Sequence, residues 1–210
     1  MTRAAAIKHG YTTGARTLAS RSVTGLTRTR VTPNALTTSG VLLCAAASLL
    51  VLFEGRNELL FYWLAAAVFV AGSLLDILDG ALARAGGKTT PFGAFLDSTT
   101  DRVSEGFMLT AIAYVLATHH HPVFVAVAMA AVAGSFLVSY TRAKAEAIGL
   151  RGDVGIGSRA ERVVVIAAGL VLAPWGVLPW SLVLLAGTAW LTVVQRVLHV
   201  RKQLMEATNE

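Results

Sequence analysis

The chain has 210 residues, 55% of them hydrophobic and only 14% charged, with a net charge of +6 and a mean hydropathy of +0.63. Ordinary soluble domains carry about 25% charged residues, so this composition excludes one and points to a membrane protein. A single cysteine, Cys44, excludes an internal disulfide scaffold, and no soluble basic domain is present that would bind nucleic acid.

Residues 1–33 are polar and basic and lack the apolar run of a signal peptide. Within them Ala15, Leu18, Ala19, Val23 and Leu26 recur at helical spacing, with Arg16, Arg21 and Arg28 off that stripe. The pattern predicts a helix lying in the inner membrane interface; a frayed basic tail is the alternative. Residues 34–210 read as one helical domain. Apolar windows of membrane-spanning length fall at about 35–53, 59–84, 94–118, 122–148, 160–176 and 179–200. The expected fold is therefore an all-α membrane protein with six transmembrane helices after an N-terminal interfacial amphipathic helix. Pro174 and Pro179 crowd the end of the fifth window.

Six spans put both termini on one side, and every Lys and Arg of the 18 except Arg56 then falls on that side. The positive-inside rule makes it the cytoplasm, with the protein expected in a bacterial cell (inner) membrane.

Across the end of the second window and the start of the third runs DILDGALARAGGKTTPFGAFLDSTTD, which holds Asp76, Asp79, Asp97 and Asp101. An aspartate near the centre of a spanning helix costs ~2.5–3.5 kcal/mol on insertion scales, so such groups need compensation. Asp76 and Asp79 are spaced i, i+3 and Asp97 and Asp101 i, i+4, so each pair lies on one helix face. The reversal over 85–92 lets the two faces meet near the cytoplasmic interface. The first pair sits at a helix C-terminal end, where the helix dipole disfavours negative charge. One or two divalent cations would remove that conflict. Oxygen ligands with no His or Cys nearby favour Mg²⁺ or Mn²⁺ over zinc. Gly80 and Gly93 allow close approach of a ligand to backbone, and Arg84 supplies a fork suited to phosphate. An interhelical ion-pair network with Arg84 or Arg102, and the ion path of a membrane cation transporter, are the competing readings; neither explains the glycines.

The spacing D-x2-D-G-x2-A-R-x8-G-x3-D-x3-D, at Asp76, Asp79, Gly80, Ala83, Arg84, Gly93, Asp97 and Asp101, resembles the signature of the CDP-alcohol phosphotransferases. The resemblance implies a homodimeric helical bundle that moves a phosphatidyl or related group from a CDP-linked lipid to an alcohol and releases CMP. It implies that Asp76, Asp79, Asp97 and Asp101 hold two divalent ions, with Asp101 also the general base. It implies that Gly80 and Arg84 contact the CDP portion. Thr32-Pro33-Asn34-x-x-Thr37 resembles the family's nucleotide-facing segment, which adds Asn34 and Thr37.

The stretch SYTRAKAEAIGLRGDVGIGSRAERVVV resembles that of actinobacterial phosphatidylinositol phosphate synthases, whose acceptor is inositol 1-phosphate. A phosphorylated acceptor needs cations beside the metal site. Lys144, Arg159 and Arg162 are the favoured clamp, with Arg142 and Arg151 next. The expected substrates are CDP-diacylglycerol and inositol 1-phosphate, in contact with membrane lipids; glycerol 3-phosphate is the alternative acceptor. His119-His120-His121 lies in a short outer turn and reads as loop.

Overall fold

The computed structural model describes residues 32–87, 89–156 and 158–208. Among them are α1 (Pro33–Val51), α2 (Glu58–Ala85), α3 (Pro91–Thr118), α4 (Pro122–Ala147), α5 (Arg159–Val171) and α6 (Leu178–Thr208). The described residues contain no strand, as expected. The interfacial helix expected over residues 15–30 lies outside the described residues.

The helix starts are written in the sequence. Thr32, Asn57 and Thr90 each cap a first turn through a side-chain oxygen, and Pro33, Pro91 and Pro122 occupy first-turn positions where no amide donor is needed. Ser158 and Glu161 form a reciprocal capping box at the start of α5. At the end of α4, Gly149 adopts φ 78°. The Leu150 amide then returns to the Ala145 carbonyl and the Gly149 amide to Glu146, a Schellman closure.

A helix lies within every predicted span. Four stretches are long and apolar enough to cross a membrane by length and composition: Asn34–Val51, Glu58–Arg84, Pro122–Ala147 and Leu178–Ala207. α3 has 28 residues, about 42 Å at 1.5 Å per residue, but carries Asp97, Asp101, Arg102 and Glu105. α5 stops after 13 residues. The 3₁₀ turn Ala173–Trp175, with Pro174 in its first positions, follows it and closes on Gly176 at φ 74°. A proline cannot continue the ladder at that point, so the fifth window is a helix plus a turn. The last helix runs beyond the expected 200, to Thr208.

The principal contacts trace a closed ring in the order α1, α2, α5, α6, α4, α3 and back to α1. Consecutive α2 and α3 are not principal partners of each other; α1 brackets both. One end of the ring interior is apolar, filled by Phe69, Met108, Leu109, Ile112, Ile166, Leu170, Leu182 and Leu185. The other end holds the aspartates. α1 approaches α2 through glycines: a Cβ on Gly72 would lie 2.8 Å from both the Gly40 carbonyl and Cys44 Sγ. Cys44 is buried packing, as expected.

Substituting Gly72 with valine overpacks that crossing and lowers the unfolding midpoint in detergent, by the equivalent of about 1–3 kcal/mol. Gly187→Ala, where nothing lies within 4 Å, leaves the midpoint unchanged or raises it. Equal thermal shifts for the two variants would remove the close-approach argument.

Candidate active site

Asp76 and Asp79 lie in the last turns of α2, and Asp97 and Asp101 in the first turns of α3. Oxygens of Asp76, Asp97 and Asp101 come within 4.8 Å of one another, although their helices are not packed together. The convergence comes from the ring, not from direct α2–α3 contact. Asp79 is not among these three and accepts a hydrogen bond from the Thr37 hydroxyl of α1. The Gly40–Gly72 approach, about one turn from Thr37 and two turns from Asp79, sets that reach.

Arg159, the first residue of α5, enters the cluster. Its Nη1 donates to Asp76 Oδ2, and its Nη2 lies 2.8 Å from Asp101 Oδ1. Asp101 Oδ1 is buried and accepts no hydrogen bond, so the contact with Arg159 is an ion pair off the hydrogen-bond line. One guanidinium touching two carboxylates leaves a net negative cluster of hard oxygen donors. That donor set fits Mg²⁺ or Mn²⁺. The alternative of a purely structural ion-pair network would need more cations than Arg159; Arg102 Nη1 instead donates to the Ser98 carbonyl.

Two cavities flank the cluster and share Ala94 and Asp97. The first, about 380 Å³, is lined by all five residues expected to face the CDP-lipid: Asn34, Thr37, Gly80, Arg84 and Gly93. Gly80 has a specific steric reason. A Cβ there would stand 3.3 Å from Arg84 Nη1, so its absence lets the guanidinium fold back over the helix. Gly93 donates its amide to the capping Thr90 hydroxyl at 3.0 Å.

The second cavity, about 700 Å³, is lined by Asp101 and by Arg142, Arg159, Arg162 and Arg196. Of the five expected acceptor cations, Lys144 and Arg151 do not line it; both are exposed, and the Arg151 backbone is tied to the Gln203 side chain at 3.0 and 2.8 Å. Arg142 pairs with Glu146 at 2.8 Å on the surface. Arg162 forms a buried two-pronged pair with Glu105.

In the sequence Arg196 bears only on membrane orientation. It is buried, donates Nε to the Val154 carbonyl at 2.8 Å and Nη1 to the Val138 carbonyl, and so clips the α4–α5 connection onto α6. The Ile156 backbone amide donates a hydrogen bond to Thr192 Oγ1 at 3.3 Å. No spacing rule pairs residues so far apart in sequence. The histidine turn stays apart from the aspartates: His119 pairs with Glu54 at 2.8 Å.

A family model for CDP-alcohol phosphatidyltransferase matches residues 30–203. The archaetidylinositol phosphate synthase of Pyrococcus horikoshii is 37% identical over 175 residues, 83% of this chain and 86% of that protein. The phosphatidylinositol phosphate synthase of Mycobacterium tuberculosis is 36% identical over 182 residues, 86% of this chain and 81% of that protein. The crystal structure of the M. tuberculosis phosphatidylinositol phosphate synthase with CDP-DAG bound has a TM-score of 0.76 at 32% identity, covering 87% of this chain and 92% of that one. The same enzyme in complex with manganese and citrate gives a TM-score of 0.77 at 33% identity, covering 87% and 88%.

Replacing Asp97 with asparagine removes one charged donor from the cluster. Calorimetric titration of the purified protein with Mn²⁺ is expected to show at least about a tenfold loss of affinity, with Thr38→Ala unchanged. Unaltered Mn²⁺ binding by the Asp97 variant would exclude the cluster as the metal centre.

Proposed function

Because the chain belongs to the CDP-alcohol phosphatidyltransferase family, a family of phospholipid-synthesising membrane phosphotransferases, we propose that it transfers a phosphatidyl group from CDP-diacylglycerol to inositol 1-phosphate, giving phosphatidylinositol phosphate and CMP. The observation that carries this reading is the carboxylate cluster standing between two cavities, one bordered by Asn34, Thr37, Gly80, Arg84 and Gly93, the other by arginines. The acceptor assignment is supported by the likeness to phosphatidylinositol phosphate synthases and by the arginines that line the second cavity beside its carboxylates.

Asp76, Asp79, Asp97 and Asp101 would hold the divalent cofactors. When bound, Mg²⁺ or Mn²⁺ neutralises the diphosphate and the charge collecting on departing CMP. Arg84, folded over Gly80, adds a guanidinium on the nucleotide side, where Asn34, Thr37 and Gly93 border the same cavity. From the other side, the acceptor hydroxyl oxygen attacks the phosphorus that bears the diacylglycerol. The bond from that phosphorus to CMP breaks, and the hydroxyl proton passes to Asp101. Asp101 is suited to this role because its carboxylate borders the second cavity. Arg159 and Arg142 would engage the acceptor phosphate, with Arg162, turned into its pair with Glu105, behind them at the same cavity; Lys144 and Arg151, outside that cavity, would add long-range attraction only.

In the same reading the chain makes six spans and works as a homodimer in the bacterial cell membrane, with both termini and the site cytoplasmic. A site at the interface leaves the acyl tails in lipid while the cytidine reaches water.

Membranes containing the protein should form CMP from CDP-diacylglycerol only with Mg²⁺ or Mn²⁺ and inositol 1-phosphate. In a side-by-side panel, faster release with glycerol 3-phosphate would replace the acceptor. Ion uptake without CMP would indicate transport instead.

Asp101→Asn is expected to lower kcat by about 10²–10⁴ while CDP-diacylglycerol still binds in equilibrium dialysis. Retained turnover would remove Asp101 as the base.

A further inference from the structure

We propose that Glu105, through its buried pair with Arg162, is a positioning residue that sets Arg159 for acceptor binding. The proposal rests on the acceptor reading above. Arg162 Nε lies 2.8 Å from Glu105 Oε1 and Arg162 Nη2 2.9 Å from Glu105 Oε2, a fork-to-fork geometry that fixes both distance and plane. The Arg162 side chain is 7% exposed and that of Glu105 9%. A buried ion pair of this kind is a weak source of stability, because apolar residues of the same volume serve as well or better. Its geometry is the more specific contribution.

The geometry has a target. α3 and α5 are not principal packing partners, so the pair is a tie across the ring interior. Glu105 lies one turn after Asp101 on α3, and Arg162 three residues after Arg159 on α5. The charges therefore stack in two layers. Arg159 with Asp76 and Asp101 forms the upper layer, and Arg162 with Glu105 the lower. Beneath both layers come Met108, Leu109 and Ile166, all buried and apolar, which offer no alternative partner to either lower charge. Rotating or sliding α5 would strand a charge against them.

α5 needs such a tie. It has 13 residues, the shortest α-helix among the described residues, and its start is held by the Ser158–Glu161 capping box. Glu161 is engaged in that cap and is not the partner of Arg162. With Glu105 holding Arg162, the first residue of α5 is fixed at the border of the second cavity. Glu105 itself does not line that cavity, so its influence on the acceptor passes through Arg159.

The test is a double-mutant cycle on purified, folded protein with Mn²⁺ present, following CMP release. Glu105→Gln is expected to raise the KM for inositol 1-phosphate about tenfold, with the KM for CDP-diacylglycerol within about twofold. Glu105→Asp, which keeps the charge, recovers part of the loss. In an Arg159→Ala background, Glu105→Gln raises the acceptor KM no further. Multiplying penalties, or equal changes in both KM values, would overturn the proposal, as would a lowered melting midpoint with the acceptor KM unchanged. If Glu105→Gln does not fold, Arg162→Lys, which keeps the charge but loses the fork, takes its place in the cycle. If the wild type prefers glycerol 3-phosphate, the inositol assignment falls and the cycle, run with that acceptor, still judges the positioning role. Turnover with no phosphorylated acceptor overturns both.

Discussion

Four carboxylates gathered at one end of a helical ring are the constraint on which the rest of this molecule turns. Oxygens of Asp76, Asp97 and Asp101 all lie within 4.8 Å of one another, and two unit charges at that separation repel by about 3 kcal/mol at an effective dielectric constant of about 20. Arg159 offsets part of that repulsion by touching Asp76 and Asp101. The remainder has to be met by cations that come from outside the chain. A cluster so charged is stable only if its backbone supports are stiff. The supports here are helices whose ends are capped by Thr32, Asn57, Thr90 and Ser158.

The ring explains how the cluster can exist without collapsing. If α2 and α3 packed directly, the carboxylates would be forced into contact with no room for a ligand. Instead α1 brackets both helices and α5 approaches α2 from the other side. Polar space is left between the aspartate-bearing ends, and apolar side chains fill the interior farther along. The bracket also divides the labour. α1 brings Asn34 and Thr37 to one cavity, and α5 brings Arg159 and Arg162 to the other. Asp97 belongs to both cavities, so a transferred group can meet its two partners at the carboxylates.

The parts of this arrangement that follow local rules were legible in the sequence. The aspartates announce themselves by helical spacing inside apolar windows, and Gly80 by its place beside Arg84. Helix starts follow from Pro and Thr. The parts that depend on ring closure were not. Glu105 and Arg162 lie on different helices with no spacing that links them, and Glu161, adjacent in sequence, was the natural partner to suspect. In sequence Arg196 is like any other basic residue near a membrane face; its bonds to the Val138 and Val154 carbonyls exist only in the closed ring. Lys144 shares a motif with Arg142, yet two positions along a helix turn it about 200° away, and it leaves the cavity that Arg142 borders.

The same geometry accounts for the helix that composition treats as too polar to span. On α3, Glu105 and Ser104 are buried, whereas Phe95 is 65% exposed, Phe107 49% and Tyr114 60%. α3 thus buries its polar Ser104 and Glu105 in line with apolar Met108, Leu109 and Ile112, and leaves large apolar groups outside as well. α5 follows suit, with Arg162 at 6% and Val164 at 66% exposure. A window average sums both faces and charges the interior residues against the helix, although lipid would meet only the outer face. Placing the charges inward supports α3 as a span, because each ionised group then meets a partner or a ligand and the hydrocarbon meets phenylalanine. The polar interior needed for phosphate chemistry and the apolar exterior needed for the membrane are therefore two faces of the same helices.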